Sequence, residues 1–352
     1  MDILIFLLAL SVVVVFHELG HYWMAKKTGV KVEEFGLGLP PKIWGKKIGE
    51  TVFSLNWLPI GGFCRLYGEN EEKKAKGKRA FSNKRPWQKM LIVMGGVAMN
   101  VVLAIMIFSV VYTVIGVPKE TEKVKVLEVS AGSPAEEAGL KKGDWIVGVG
   151  QKQIKTGGEL IEVVADYKGG KAELVVVAEG SDKKQVVEVG VRENPPEGEG
   201  SMGVAISTME MVKVPWWQFY KGIGAGFSEA YFWGKIIAVG MYQMVSGLFV
   251  GKLPEGVAGP VGMYQATTSI KNNQGILAMI HFFGIISVNL AILNFLPFPA
   301  LDGGRMVFVA WEMFAKRKAN AKLEMIVNNV GMAILLLLLV LVTVGDVARF
   351  FG

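Results

Sequence analysis

Residues 3–25, 90–117, 275–296 and 326–344 are four long, predominantly apolar stretches. A hydrocarbon core of about 30 Å takes roughly 20 helical residues, so each stretch is predicted to cross a membrane. The second is the cleanest, with no charge from Leu91 to Val117, and the fourth contains the unbroken aliphatic run from Leu335 to Val342. A fifth apolar run, 236–250, is shorter and carries Gln243 and Ser246, which predicts an interfacial or protein-packed helix. The first stretch has no Lys or Arg ahead of its apolar run and no A-x-A site after it, so it reads as a retained span rather than a signal peptide.

Elsewhere the period changes to two. Residues 121–193 alternate apolar and polar positions, as in Val124-Lys125-Val126-Leu127-Glu128-Val129 and over 174–178 and 186–191. This predicts a small β-rich domain with short helices near 134–138 and 159–166. Inside the loop after the first span, 32–39, 46–55 and 61–66 also alternate, with glycine turns at Gly36, Gly38, Gly61 and Gly62, and read as strands or hairpins. Residues 69–79 form a Lys-rich charged tip, and 194–200 a turn-rich connection. Pro215-Trp216-Trp217-Gln218-Phe219-Tyr220 has the composition of an aromatic belt at a membrane surface.

Composition agrees with the pattern. Of the 352 residues 51% are apolar and 20% charged, and the mean hydropathy is +0.39. The single cysteine, Cys64, excludes an internal disulfide framework, a Cys-rich zinc ribbon and an iron–sulfur cluster. The net charge of +7 does not imply nucleic acid, because its location follows the membrane pattern. Residues 26–89 hold 15 basic against 6 acidic residues, a net of +9, and the short loop 316–322 adds four basic residues. Residues 118–200 hold 12 basic and 16 acidic, a net of −4. The positive-inside rule puts both basic loops in the cytoplasm, and residues 118–274 and both termini outside.

His17-Glu18-Leu19-Gly20-His21 is an HExxH pattern in a chain with three histidines in all. At i and i+4 the two imidazoles share a helix face and can reach one metal ion, while Glu18 beside them can take a proton from an attacking water. Zinc suits two imidazoles and a carboxylate. The pattern is short, but it interrupts an apolar span, and ionisable residues at membrane depth are costly enough to mark function. From Ile3 to His17 is about 21 Å of helix at 1.5 Å per residue, which places the motif within the membrane's thickness toward the cytoplasmic face. A catalytic zinc needs a third protein ligand. The stronger candidate is Asp302, within Asn294-Phe295-Leu296-Pro297-Phe298-Pro299-Ala300-Leu301-Asp302-Gly303-Gly304, the only acid between Glu255 and Glu312. Such broken backbone is tolerated at membrane depth only inside protein or beside a watery cavity. His281, alone in the third span, is the alternative.

HExxH in the first span, N-x-x-P-x-x-x-L-D-G in a later one and a β-rich insertion together resemble the site-2 protease family of zinc intramembrane metalloproteases, in its bacterial PDZ-bearing branch. The resemblance runs along almost the whole chain. Within the insertion, Ser133-Pro134-Ala135-Glu136-Glu137-Ala138-Gly139-Leu140 and Lys142-Gly143-Asp144-Trp145-Ile146 resemble the signature of bacterial PDZ domains. Ser201-Met202-Gly203-Val204 resembles the carboxylate-binding loop of their circularly permuted form. Met94-Gly95-Gly96-Val97-Ala98-Met99-Asn100 resembles the family's A-G-P-x-x-N stretch, with Gly96-Val97 where the family has Gly-Pro, and Gly259-Pro260-Val261-Gly262 also recurs there. Two departures stand out: one PDZ-like domain where several relatives carry two, and Arg305 where many relatives have His.

The resemblance implies one Zn2+ per chain held by His17, His21 and Asp302, with Glu18 as general base and Asn294 touching substrate backbone or lining the site. The hairpins at Gly36, Gly38, Gly61 and Gly62 would be a membrane-reentrant β element offering an edge strand to substrate. It further implies single-span membrane substrates already shortened by another protease, such as anti-sigma factors or remnant signal peptides, cut in a bacterial-type inner membrane. The expected fold is a polytopic α-helical membrane protein with about four transmembrane helices, a membrane-associated β-hairpin element and an inserted extracytoplasmic PDZ-like α+β domain. Its expected divisions are 1–117, 118–206, 207–274 as interfacial helices and connector, and 275–352. A catalytically silent PDZ scaffold would not need the HExxH and LDGG carboxylates, and a transporter would be expected to show an inverted repeat, which is not evident.

Overall fold

The computed structural model describes residues 2–69, 77–181, 183–196, 199–213, 215–249 and 258–351. Parts of the expected charged tip over 69–79 and of the connection over 194–200 lie outside the described residues. The chain forms two compact units, one made of Met1–Val114 with Trp217–Gly352 and the other of Ile115–Trp216.

The first unit is helical. Its elements are α1 (Asp2–Lys27), α2 (Pro86–Ile115), α5 (Phe219–Phe249), α6 (Pro260–Gln274), α7 (Ile276–Phe295), α8 (Asp302–Ala315) and α9 (Ala321–Phe351). Four of these, α1, α2, α7 and α9 over Lys322–Ala348, are long and apolar enough to cross a membrane, and they coincide with the four expected stretches. Helices that are apolar all round find no preferred face in water and pack on one another or on lipid. Phe6, Val13, Leu103, Met279 and Phe283 bury one another where α1, α2 and α7 meet.

The 236–250 run proves to be the second half of α5, which begins at Phe219. Packing of α5 on its neighbours is concentrated before that run, in which Ile236, Val239, Tyr242 and Val245 are exposed. Ala230 joins Ala104, Phe108 and Val288 in a buried cluster with α2 and α7. Glu229 accepts hydrogen bonds from His281 Nε2 at 3.0 Å and Trp233 Nε1 at 2.9 Å. Glu229 and Lys235 lower the hydropathy of α5 and conceal it from an apolarity pattern.

Between α1 and α2 lie β1 (Val32–Ile48) and β2 (Thr51–Leu66), each folded back on itself. Residues 52–55 pair with 44–47 on one side and 34–37 on the other, and 34–37 pair in turn with 62–65. The result is a small sheet whose outermost segment on the α1 side is 62–65. The turn joining β1 to β2 is pinned through Glu50, which accepts from Lys26 at 2.7 Å and Arg79 at 2.6 Å. Those two hydrogen bonds hold the Glu50 carboxyl down to about 2.

The second unit is an antiparallel sheet in the order β7-β6-β4-β3-β8, with β5 paired to β4. Its strands are β3 (Val117–Val129), β4 (Trp145–Val149), β5 (Lys152–Gln153), β6 (Lys171–Val177), β7 (Lys184–Gly190) and β8 (Val204–Val212). Alternation decides which face is buried: along β6, Ala172, Leu174 and Val176 point into the core and their neighbours do not. Two helices cover that core, α3 (Pro134–Glu137) and α4 (Gly157–Ala165). Ser133 caps α3 by accepting from Glu136 N–H, and Thr156 with Glu159 forms a reciprocal capping box on α4.

Candidate metal centre

His17 and His21 lie one turn apart on α1, and Asp302 is the first residue of α8. The fold brings these three together. His17 Nε2 lies 3.1 Å and His21 Nε2 3.2 Å from Asp302 Oδ2, and the two nitrogens are 3.2 Å apart. Asp302 Oδ2 is buried without an aligned hydrogen-bond donor. Three electron-pair donors facing one point, one of them a buried orphan, are unfavourable unless a cation sits among them. Donors bound tetrahedrally at about 2.0–2.1 Å from zinc stand about 3.3 Å apart, so the triangle fits that ion. Among the described residues this is the cluster of His, Cys, Asp and Glu groups able to hold a metal.

Neighbouring groups set the direction of both rings. His21 Nδ1 lies 2.9 Å from Ile92 O, a carbonyl that only accepts, so Nδ1 carries the proton and the Nε2 lone pair faces the centre. His17 Nδ1 lies 3.3 Å from the fully buried Asn100 amide. The atom in contact is Nδ2, and Asn100 Oδ1 is left buried without a partner; with the amide turned over, that oxygen accepts from His17 Nδ1–H and fixes the same tautomer. α1 and α2 approach to backbone contact at Gly20 and Gly95: a Cβ at Gly95 would lie 2.6 Å from Gly20 O, and one at Gly20 would strike Gly95 O. One residue on, a Cβ at Gly96 would fall 2.6 Å from His17 Cε1 and collide with His21 Nε2. Asn100 and Gly96 belong to a stretch noted in the sequence only for its resemblance; an apolar run does not show which residues face a neighbouring helix.

The turn before Asp302 is tight. Ala300 adopts φ +73°, a conformation costly for a non-glycine residue, and its N–H donates to Asn328 Oδ1 of α9 at 3.3 Å. A side chain at Gly303 would strike Leu296 O, which accounts for glycine directly after the aspartate. Arg305, one turn into α8, pairs with Glu69 beyond the end of β2. The Glu69 carboxylate raises the Arg305 guanidinium still further above its ordinary value.

A cavity of about 620 Å³ opens on the three donors. Glu18, Asn294 and Arg305 line it, together with Phe63, Cys64 and Arg65 of β2. Gly62 lies against α1, where a Cβ would be 3.4 Å from Glu18 Cγ. Gly36 pairs with Phe63 and Ser54 in the sheet, and Gly38 and Gly61 take positive φ at the bends beside it. Cys64 is not a ligand candidate: burial, and then the carboxylates of Glu18 and Glu69, push its thiol up, and a neutral thiol binds zinc weakly. His281 is committed to Glu229 and stacks beside Phe108, apart from the donor triangle. In the second unit Met202 is buried, and Gly203 N–H is already bonded to Gly200 O at 2.9 Å. That N–H of the Ser201–Val204 loop is therefore not free for a peptide carboxylate.

The profile of peptidase family M50, which comprises the site-2 proteases, matches residues 5–338. The chain belongs to peptidase family M50. A protein of Clostridium acetobutylicum whose name includes "zinc metalloprotease" is 33% identical over 346 residues, covering 98% of this chain and 97% of its own length. A Clostridium perfringens protein so named is 33% identical over 347 residues, covering 99% and 98%. Zinc metalloprotease RasP of Geobacillus kaustophilus is 25% identical over 427 residues, covering 99% of this chain and 98% of its own. M50 peptidases are zinc-dependent, and this one is a zinc metalloendopeptidase of a membrane.

Proposed function

We propose that this M50 peptidase hydrolyses peptide bonds within the transmembrane segments of single-span membrane proteins, with His17, His21 and Asp302 as its zinc ligands and Glu18 as its general base. The observation that carries the reading is the donor triangle, drawn from the apolar span α1 and from the first residue of α8, opening on a cavity lined by Glu18. Zinc held there supplies Lewis-acid chemistry, polarising the scissile carbonyl and making water a stronger acid. The Glu18 carboxylate takes a proton from the attacking water and delivers it to the leaving amine nitrogen as the C–N bond breaks.

A transmembrane helix hides its peptide bonds in i→i−4 hydrogen bonds, so the substrate must unwind locally. Segment 62–65 pairs with 34–37 on one side only, and among the described residues its other edge has no strand partner. That edge borders the cavity and is suited to hold an unwound segment extended by strand addition, with Gly62 leaving room beside Glu18 and Gly36, Gly38 and Gly61 shaping the bends. Asn294 offers its amide to the substrate backbone.

The second unit we read as a PDZ-like domain. β8 is the edge of its sheet and α4 borders it, so that a Cβ at Gly157 would lie 3.4 Å from Ile206 Cδ1. The charge pattern supports loops 26–89 and 316–322 in the cytoplasm and residues 118–200 outside. Substrates already shortened on the outer side, such as anti-sigma factors or remnant signal peptides, fit regulated intramembrane proteolysis. Asp302→Ala in purified protein should lose both stoichiometric zinc and cleavage of a reconstituted single-span substrate. Retention of both would overturn the ligand set, and a cut mapped outside the apolar segment would overturn the intramembrane reading.

A further inference from the structure

We infer that the cleft between the N-terminal end of α2 and the C-terminal end of α8 binds the phosphate headgroup of an anionic phospholipid. The cleft holds about 440 Å³, and Lys84, Trp87, Met313, Lys316, Arg317 and Lys318 line it. The one carboxylate in its wall, Glu312, is already occupied, bonded to Lys89 Nζ at 2.8 Å and to Ala319 N–H at 3.1 Å. Among the described residues no carboxylate pairs with Lys84, Lys316, Arg317 or Lys318. Lys84 Nζ donates to Thr28 O at 2.6 Å, so the exposed Lys316, Arg317 and Lys318 are the three cations that stand on one cleft without internal neutralisation. Lys316 takes the left-handed conformation, φ +53°, at the end of α8, which turns the three consecutive basic residues around the cleft.

The chemistry beside these cations is that of an amphiphile and not of a free anion. Two apolar stripes lead away from the cleft at helical spacing i, i+4, i+7. On α2 they are Trp87, Leu91 and Met94, and on α8 Phe314, Trp311 and Val307, all exposed, with Phe314 at 86%. A large apolar residue so exposed at the end of an amphipathic helix rests in the headgroup boundary of a bilayer. Basic pockets between membrane helices on the positively charged side are suited to anionic headgroups, with acyl chains along the adjoining apolar faces. Occupancy ties the far end of α8, whose first residue is Asp302, to α2 and the membrane surface.

The test uses the purified full-length chain in a neutral detergent, titrated with dioleoylphosphatidylglycerol, with dioleoylphosphatidylcholine, and with inorganic phosphate, the thermal midpoint being read in each case. Phosphatidylglycerol is expected to raise the midpoint saturably, and the other two to leave it unmoved at equal concentration. At about fivefold in affinity per basic residue, the Lys316→Gln/Arg317→Gln/Lys318→Gln variant should weaken the apparent affinity by roughly a hundredfold. These side chains are solvent-exposed, so its lipid-free midpoint and zinc content should stay those of the parent. Lys46→Gln/Lys47→Gln, which removes two exposed charges elsewhere on the same face, should change nothing. Equal shifts with phosphatidylcholine, an equal shift with phosphate alone, equal weakening in the Lys46/Lys47 variant, or an unweakened triple variant would each overturn the site.

Discussion

Replacing Asn100 tests how much of the metal affinity lies outside the donors themselves. Its side chain is fully buried and stands 3.3 Å from His17 Nδ1, whereas the matching partner of His21 is the Ile92 carbonyl, which no substitution removes. Asn100→Leu keeps the volume and deletes the acceptor, so one imidazole of two loses the group that fixes its tautomer and rotation. Loss of such an outer partner costs 10–100-fold in metal affinity, or about 1.4–2.7 kcal/mol. Asn100→Asp presents an oxygen to the same Nδ1–H and should bind zinc at least as tightly as the parent. The assay is competition for Zn2+ against a chelator of known affinity, with the metal-free thermal midpoint measured alongside to confirm a folded chain. A folded Asn100→Leu protein binding zinc within twofold of the parent would refute the argument, and so would an Asp variant as weak as the Leu one.

Glu18→Gln should keep stoichiometric zinc while cleavage falls by about 10²–10⁴-fold, because an amide cannot accept the water's proton; zinc loss in this variant would make Glu18 a ligand instead. Val117 and Val212 are paired neighbours in the sheet, so replacing 117–212 by a short Gly/Ser linker bridges only about 5 Å. That deletion should leave zinc content and cleavage of an already shortened substrate intact, and their loss would show the second unit to be structurally required. In a Cys64→Ser background, a cysteine at Lys78 should resist an impermeant thiol reagent applied to intact cells while one at Lys168 reacts; the reverse pattern would invert the topology.

The four spans and the HExxH face were legible because each rests on a local quantity, unbroken apolarity in one case and a four-residue spacing in the other. What the sequence left open was settled by packing between distant segments. It offered Asp302 and His281 as alternatives for a third donor, and the structure shows Asp302 beside the histidines and His281 bonded to Glu229. The packing of α5 on α2 and α7 escaped because Glu229, Trp233 and His281 satisfy one another inside the protein, a pairing invisible until α5 and α7 are neighbours. Gly20 and Gly95 stood in the sequence as small residues in apolar runs, a sign of close helix crossing, but only the fold shows that they meet each other.

A proposed ligand at the very start of a helix, just after a turn, would ordinarily be the loosest part of a metal site, and the chain around Asp302 is fastened as if to prevent that. The Asn328 side chain of α9 holds the Ala300 N–H before it, and Gly303 lets α8 start against Leu296 O directly after it. One turn further Arg305 is tied to Glu69, and near the end of α8 Glu312 is tied to Lys89 of α2. Buried ion pairs such as Lys89–Glu312 add little net stability, but they penalise any arrangement that separates them. Their value here is directional, since they admit one rotation and one height for α8. The same α2 that accepts Glu312 also seats both imidazoles, through Ile92 O, Asn100 and the absent side chain of Gly96. The position of Asp302 relative to the histidines is therefore fixed through α2 from both sides, so a substitution that shifts α2 moves the proposed ligands on two other helices at once.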